Sequence, residues 1–468
     1  MNPLALAWRN LLRNRRRSLT TLTAMALGLV AVLLFGGYIR DLNYGLQTDF
    51  VQLSGHLQIQ HRDYHQIGSG NPAAFGVRRH DQILKALRAD PELAPMLSLA
   101  TPVLQFGGIA GNFAAGVSRT VYVSATVAED QKRMRQWNEY QFPTLATHIS
   151  LAGSPPDTAV IGTGVARVLQ LCGPLKVPDC AAAPAPAADP GAGPALPADI
   201  AALAAGPAGT AKVAAAAGKT PRIEILAADA RGAPNVAALS VLAAEYQGIK
   251  EFDDVHVAMH LDQAQRLLFG RAEPQVTAIA LQLHHTAQLP QARARLERLL
   301  AKDFADQPLA VLDFELLNPF YGQAIAMFAA IFGFISVLIG SIVLFTVANT
   351  MSMSVVERTA EIGTLRAIGL RQRGIRTIFI GEGVLLGLIG AVVGIVLAVT
   401  LAWIINRIGL TWTPPGRVEP IELALRVAGE HGMLFGSAIG VVVVGALSAL
   451  VPATRAARMN IVEALRHV

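Results

Sequence analysis

Between two long apolar segments the chain carries the charged run Glu357-Arg358-Thr359-Ala360-Glu361-Ile362-Gly363-Thr364-Leu365-Arg366-Ala367-Ile368-Gly369. Its apolar residues Ile362, Leu365 and Ile368 follow one another at helical spacing, and the charged residues take the other faces. Gly369 stands where a helix would stop. The run therefore predicts a short amphipathic helix exposed between two membrane spans, and the alternative is a solvated loop whose arginines only set topology.

The composition indicates a membrane protein. Of the 468 residues, 52% are hydrophobic and only 15% are charged, and the mean hydropathy is +0.42. This chain is too apolar for a single soluble domain. The formal charge of +6 comes from basic residues beside the apolar segments, with no basic stripe that carries interleaved aromatic residues. We therefore expect no nucleic-acid partner.

Four apolar segments are long enough to cross a bilayer, at residues 19–39, 323–349, 378–405 and 433–451. Residues 1–18 predict an amphipathic helix in the membrane interface. A cleaved signal peptide is the alternative for the first apolar segment, but the segment is longer than a usual apolar core and no A-x-A-like site follows it.

Arginines predict the topology. They concentrate in residues 9–17, in the segment 350–377 that we expect to be a cytoplasmic coupling segment, and in the tail 452–468. Under the positive-inside rule, these regions are cytoplasmic. The loop 406–432, with nearly balanced charge, and the long segment 40–320 are then outside. Alternating strand and helix patterns in 40–320 predict a large α+β domain between the first and second spans.

From Cys172 to about Pro221 this pattern gives way to alanine, proline and glycine. We interpret most of residues 172–221 as a loosely ordered insertion that serves as a spacer. Cys172 and Cys180 are the only cysteines, and an oxidising compartment outside the membrane would permit a disulfide between them.

In the third span, small residues repeat at steps of three or four, at Gly383, Gly387, Gly390 and Gly394. Such a face lets another helix approach closely. Gly436 and Gly440 are a weaker version in the fourth span. Glu382 opens the third span, where an ionisable group needs a structural reason or a place in the headgroup zone.

No residue pattern predicts catalysis or a cofactor. Gly218-Lys219-Thr220 resembles the end of a phosphate-binding loop, but Val213 replaces its first glycine and no strand-to-helix context surrounds it. His61 and His65 lack acidic or cysteine partners for a metal site. We expect no catalytic residue, no metal and no bound cofactor in this chain.

The run 357–369 closely resembles the E-R-x-x-E-I-G-x-L-R-A-I-G signature of the FtsX/MacB/LolC-type ABC permeases. The segments 8–17, 161–171 and 452–466 are similar to that family as well. The resemblance implies a MacB-type periplasmic core domain in residues 40–320 and a coupling helix that docks on a separate ATPase. The docking residues would be Glu357, Arg358, Glu361, Ile362, Gly363, Leu365, Arg366, Ala367 and Gly369.

The same resemblance implies a mechanotransmission permease of the inner membrane, with both termini cytoplasmic. It would work as a dimer with a second copy or a related permease, and ATP and Mg²⁺ would bind a partner ATPase dimer. Its span count and unfused ATPase favour release of a lipoprotein cargo, with efflux of a small molecule or peptide second and hydrolase control third. A membrane-anchored receptor or scaffold is the alternative from another class.

Overall fold

The structure, a computed structural model, describes residues 7–9, 13, 15–68, 71–113, 115–142, 151–177, 180, 220–248, 250–413 and 420–460. Most of the predicted insertion, Gly218 and Lys219, parts of the predicted interfacial helix and the end of the predicted tail lie outside these residues. The chain divides into two units. We call residues 1–46, 320–412 and 420–468 the membrane unit, and residues 47–319 with 413–419 the α+β unit.

The helices are, in chain order, α1 (Arg15–Ser54), α2 (Tyr64–Ile67), α3 (His80–Ala89), α4 (Ala128–Met134), α5 (Thr163–Val168), α6 (Cys172–Leu175), α7 (Lys250–Asp253), α8 (Leu261–Phe269), α9 (Leu289–Asp303), α10 (Phe314–Leu317), α11 (Pro319–Glu357), α12 (Thr359–Ala367), α13 (Gln372–Ile408) and α14 (His431–Arg458). The strands are β1 (Leu57–His61), β2 (Leu97–Asn112), β3 (Val117–Thr126), β4 (Thr158–Gly162), β5 (Arg222–Ala228), β6 (Pro234–Glu245), β7 (His256–His260), β8 (Ala278–Leu283), β9 (Leu309–Asp313), β10 (Thr411–Trp412) and β11 (Ile421–Glu422).

Among the described residues, α1, α11, α13 and α14 are long and apolar enough to cross a membrane. Each helix is longer than the predicted span inside it. Arg40 and Asp41 end the first apolar segment, but α1 continues to Ser54 because neither residue breaks a helix, and the chain turns at Gly55 with φ +76°. Likewise α14 passes through Pro452 and reaches Arg458. The polar residues that bound the predicted spans therefore lie within these helices and do not end them.

The glycine face predicted in the third span is covered by neighbouring helices of the membrane unit. A Cβ atom added to Gly383 would collide with the carbonyl oxygen of Gly445, and one added to Gly387 would lie 2.8 Å from the Cα atom of Val442 on α14. Further along α13, Gly390 and Gly394 pack against the side chains of Met25 and Leu29 on α1, at 3.0 Å from an added Cβ. The small residues therefore let α13 approach both α14 and α1 closely.

The α+β unit is built on a nine-stranded sheet with the order β3-β7-β4-β6-β5-β2-β8-β1-β9, and the long strand β2 pairs with β3 as well. The pairs β3–β7 and β4–β6 are parallel, and the other pairs are antiparallel. The sequence patterns missed β6 and β9. The helices α3, α8 and α9 place their apolar faces in one large core against the sheet.

The segment after β4, which carries one of the family-like motifs, is held by Asp253. The carboxylate of Asp253 accepts hydrogen bonds from the backbone N–H groups of Thr163 and Gly164, each at 2.8 Å. Gly164 cannot be replaced without movement, because an added Cβ would lie 2.7 Å from the Cα atom of Asp254. The glycines of this motif thus permit close backbone packing. Beyond it, the structure joins Cys172 and Cys180 as a disulfide, with Cα atoms 5.9 Å apart.

Candidate coupling site

The run 357–369 forms the separate helix α12 between the apolar helices α11 and α13. It begins after Arg358, whose φ of −105° and ψ of 19° interrupt the helical path from α11. The helix ends at Ala367, and Gly369 follows with φ +98°, a conformation that glycine adopts without strain. The glycine that marks the end of the helix in the sequence therefore serves as its stop in the structure.

One face of α12 is covered within the membrane unit. Ile362 is 3% exposed and Gly363 is buried, while Leu365 is half-buried. Ile362 and Leu365 belong to an apolar cluster in which α12 meets α13 and α14. The other helices contribute Ile375 and Phe379 on α13 and Ala453, Ala456 and Ala457 on α14. The three alanines leave room for α12 to lie close to α14. We call this the covered face.

Arg358 lies on the covered side, which corrects the prediction that it joins the outward charged faces. Its guanidinium Nη1 is 2.9 Å from the Glu382 carboxylate Oε1 on α13, and the two side chains are only 6% and 4% exposed. Glu382 therefore has a structural role as the partner of Arg358. The sequence pattern could not find this pair, because the residues are 24 positions apart and on different helices.

The other face of α12 is open among the described residues. Glu361, Thr364 and Ile368, at positions i, i+3 and i+7, are all exposed. Ile368 was predicted to share the apolar face with Ile362 and Leu365, and this is wrong: it is 77% exposed. Ile368 lies just beyond the last residue of the helix, where the chain turns away from the cluster. We call Glu361, Thr364, Ala367 and Ile368 the open face.

The remaining charges of the run make contacts inside the membrane unit. Arg13 pairs with Glu361, and Arg17 pairs with Glu357. The Arg366 guanidinium donates to the backbone carbonyl of Met459 after α14. The sequence predicts only a role in topology for the N-terminal arginines, because opposite charge alone does not show which residues pair. Exposed pairs of this kind contribute little stability, about 0–1 kcal/mol each.

A second cluster of charges, near residue 41 of α1, was missed by the sequence patterns. The Arg426 guanidinium is 2.7 Å from the Asp41 carboxylate and lies over the ring of Tyr44. Glu430 accepts from Arg40 and from the Tyr44 hydroxyl, each at 3.0 Å. Arg426 and Glu430 thus tie the end of the loop 406–432 to α1.

Comparison with known proteins places the covered and open faces within a recognised domain. Residues 330–461, which contain α12, match the domain family described as FtsX-like permease C-terminal. The resemblance predicted from the motifs is therefore confirmed.

Three curated relatives illustrate the similarity. The chain is 29% identical over 217 residues to an uncharacterized ABC transporter permease of Methanocaldococcus jannaschii, covering 46% of this chain and 51% of that protein. It is 26% identical over 242 residues to the macrolide export ATP-binding/permease protein MacB of Bdellovibrio bacteriovorus, covering 50% and 34%. It is 27% identical over 175 residues to the lipoprotein-releasing system transmembrane protein LolC of Neisseria meningitidis, covering 37% and 41%. The chain thus matches about half or less of the length of each.

Proposed function

Because residues 330–461 form an FtsX-like permease domain, we place the chain among the ABC transporter permeases and propose that it couples a separate ATPase to work done outside the membrane. In this proposal, ATP and Mg²⁺ bind the partner, and this chain performs no catalysis. The helix α12 receives the movement of the ATPase. The α+β unit, as a MacB-type periplasmic core domain, changes shape in response.

The observation that carries this proposal is the contrast between the two faces of α12. A helix that transmits force must be fixed to the spans that it moves and must leave a surface for the partner that pushes it. The buried ion pair between Arg358 and Glu382 and the cluster around Ile362 fix α12 to α13 and α14. The open face carries Ile368 as a large exposed apolar side chain and, about two turns earlier, the exposed Glu361.

The open face has the chemistry of a docking surface. Binding energy at protein interfaces concentrates in a few apolar anchors that lose water on binding. Charged residues around such an anchor set orientation and association rate. We propose that Ile368 is the anchor of the ATPase contact. The pair Arg13–Glu361 would hold the open face until the partner binds.

The proposed topology has both termini in the cytoplasm and the α+β unit in the periplasm of an inner membrane. Arginine placement supports it. A reporter fused after Val468 or inserted in the run 357–369 should report cytoplasm, and one inserted near Ala192 should report the outside. A cytoplasmic signal at Ala192 would refute the topology and the proposal that the α+β unit acts outside the membrane.

The cargo that we propose is a lipoprotein extracted from the outer leaflet, for which the large α+β unit and the similarity to LolC are the support. Efflux of a small molecule or peptide is the second candidate, because another relative is named as a macrolide exporter. Depletion of this chain followed by membrane fractionation tests the choice. Lipoproteins should accumulate in the inner membrane, whereas unchanged lipoprotein sorting with new drug or peptide sensitivity would favour efflux.

The ATPase partnership has its own test. The chain is expressed with the stand-alone ATPase encoded nearest to it, purified in detergent and checked for a stable complex with two ATPase subunits and two permease chains. A second copy or a related permease would complete the dimer. If the chain is purified without any ATPase and binds none when one is supplied, the receptor or scaffold function would replace the transporter.

A further inference from the structure

The basic C-terminal end of α14 carries a cavity to which α12 contributes no residue. The cavity has a volume of about 300 Å³ and is lined by Leu450, Val451, Thr454, Arg455 and Arg458. All five lining residues belong to α14, so the cavity is a shallow depression on the surface of one helix. Its lining changes along the helix from two apolar side chains to two guanidinium groups.

The cavity lies on the face of α14 that points away from α12. At 3.6 residues per turn, Arg455 and Arg458 project from the side of the helix opposite to Ala453 and Ala456. Those alanines are fully buried in the cluster with α12. The cavity therefore opens toward the surroundings of the membrane unit, where lipid would lie.

Both arginines are exposed, and within the described part of the chain neither takes part in an ion pair. Leu450 and Val451 are 43% and 58% exposed. The site thus combines two exposed apolar side chains with two arginines, one turn further on, that have no ion-pair partner among the described residues.

We propose that Arg455 and Arg458 bind the phosphate of an anionic phospholipid whose acyl chain lies along Leu450 and Val451. Guanidinium groups bind phosphate oxygens through paired N–H donors. The order of apolar and cationic residues along α14 matches the order of acyl chain and headgroup in a lipid. The proposal rests on the membrane location of α14 and not on the ATPase partnership.

The test uses the full-length chain purified in detergent. Native mass spectrometry counts bound phosphatidylglycerol and, in a parallel titration, bound phosphatidylcholine. Each arginine close to an anionic lipid contributes about fivefold to binding. The double variant Arg455→Gln/Arg458→Gln should therefore weaken phosphatidylglycerol binding about tenfold or more and leave phosphatidylcholine binding unchanged.

Two control variants keep the result interpretable. Arg455→Lys/Arg458→Lys keeps the charges and should retain most of the affinity, which separates loss of charge from misfolding. Arg167→Gln/Arg271→Gln removes the same charge from exposed positions of the α+β unit and should change nothing.

Three outcomes would overturn the proposal. The first is equal affinity of the glutamine variant and the unmodified chain for phosphatidylglycerol. The second is equal displacement of the lipid by inorganic phosphate at matched concentration, which would assign the site to free phosphate. The third is loss of a bound ATPase from the glutamine variant with its lipid retained, which would assign the arginines to a protein contact.

Discussion

The two faces of α12 carry similar residues in opposite environments. On the covered side, Arg358, just before the helix, is buried in its pair with Glu382, and Ile362 packs in the cluster with α13 and α14. On the open face, Glu361 and Ile368 are exposed. The covered charge is fixed by its partner, whereas the open charge can exchange partners at little cost. Residue type alone therefore does not show whether a side chain fixes α12 to the spans or is exposed to a partner.

The buried pair offers the largest test of this contrast. Removing one partner leaves an uncompensated charge in a buried site, so Glu382→Leu should destabilise the membrane unit by about 3–5 kcal/mol. The double variant Arg358→Met/Glu382→Leu should recover most of this loss, because no unpaired charge remains. Thermal unfolding in detergent measures both. Equal stability of the single variant and the unmodified chain would show that the pair does not fix α12.

A similar contrast between covered and open holds for histidines of the α+β unit. Burial lowers the pKa of His56 to about 4, against a partial opposing effect of Glu139. The neutral ring accepts a hydrogen bond at Nδ1 from the Leu283 backbone N–H, at 3.0 Å. His285 has a side chain that is 64% exposed and serves as the control.

Since the pKa of His56 is depressed in the folded state, its contribution to stability is complete above pH 6.5 and is lost as the pH falls toward 4. The loss is on the order of 3 kcal/mol. Melting temperatures measured across this range should fall for the unmodified chain and for His285→Gln, and fall less for His56→Gln. The same slope in all three would contradict a buried neutral His56.

Glycines give a smaller contrast of the same kind. Gly383 is covered by Gly445 of α14, whereas an added Cβ at Gly440 meets nothing within 4 Å. Gly383→Val should therefore cost about 1–3 kcal/mol through overpacking, and Gly440→Val should change stability much less. Thermal unfolding of the two variants in one detergent measures the difference in stability. Equal effects would mean that α13 and α14 are not packed as closely as we describe.

The sequence predicted much of this site because its signals are local. The spacing of Ile362 and Leu365 and the glycine at 369 depend only on neighbouring residues, and these determine the helix and its end. The strand and helix patterns of the α+β unit are local as well. Strand β6 was missed because Val236 and Val241 are its only β-branched residues, it has no aromatic residue, and alanines fill much of the rest.

The contacts that give the site its two faces could not be predicted from local sequence patterns. The pairing of Arg358 with Glu382 depends on the angle between α12 and α13, and the exposure of Ile368 depends on where the backbone leaves the helix. Periodicity treats all positions on one helical stripe as equivalent. It therefore placed Ile368 with the core and Arg358 at the surface.

We propose that the open face docks on the ATPase while the covered face only fixes α12. Arg366 is unsuitable for testing it, because its reversal would also break the contact with Met459. Ile368→Ser and Glu361→Arg change exposed side chains and should alter stability by less than about 1 kcal/mol. The exposed Glu129→Arg on α4 is the matched control.

The most direct measurement is ATP hydrolysis and cargo release in the same proteoliposomes that contain this chain and its ATPase. We predict that Ile368→Ser and Glu361→Arg leave the membrane unit folded. Ile368→Ser should weaken ATPase association about tenfold or more. Both variants should abolish release per ATP hydrolysed, whereas Glu129→Arg should retain it. Release per ATP that is unchanged in both open-face variants would contradict the account.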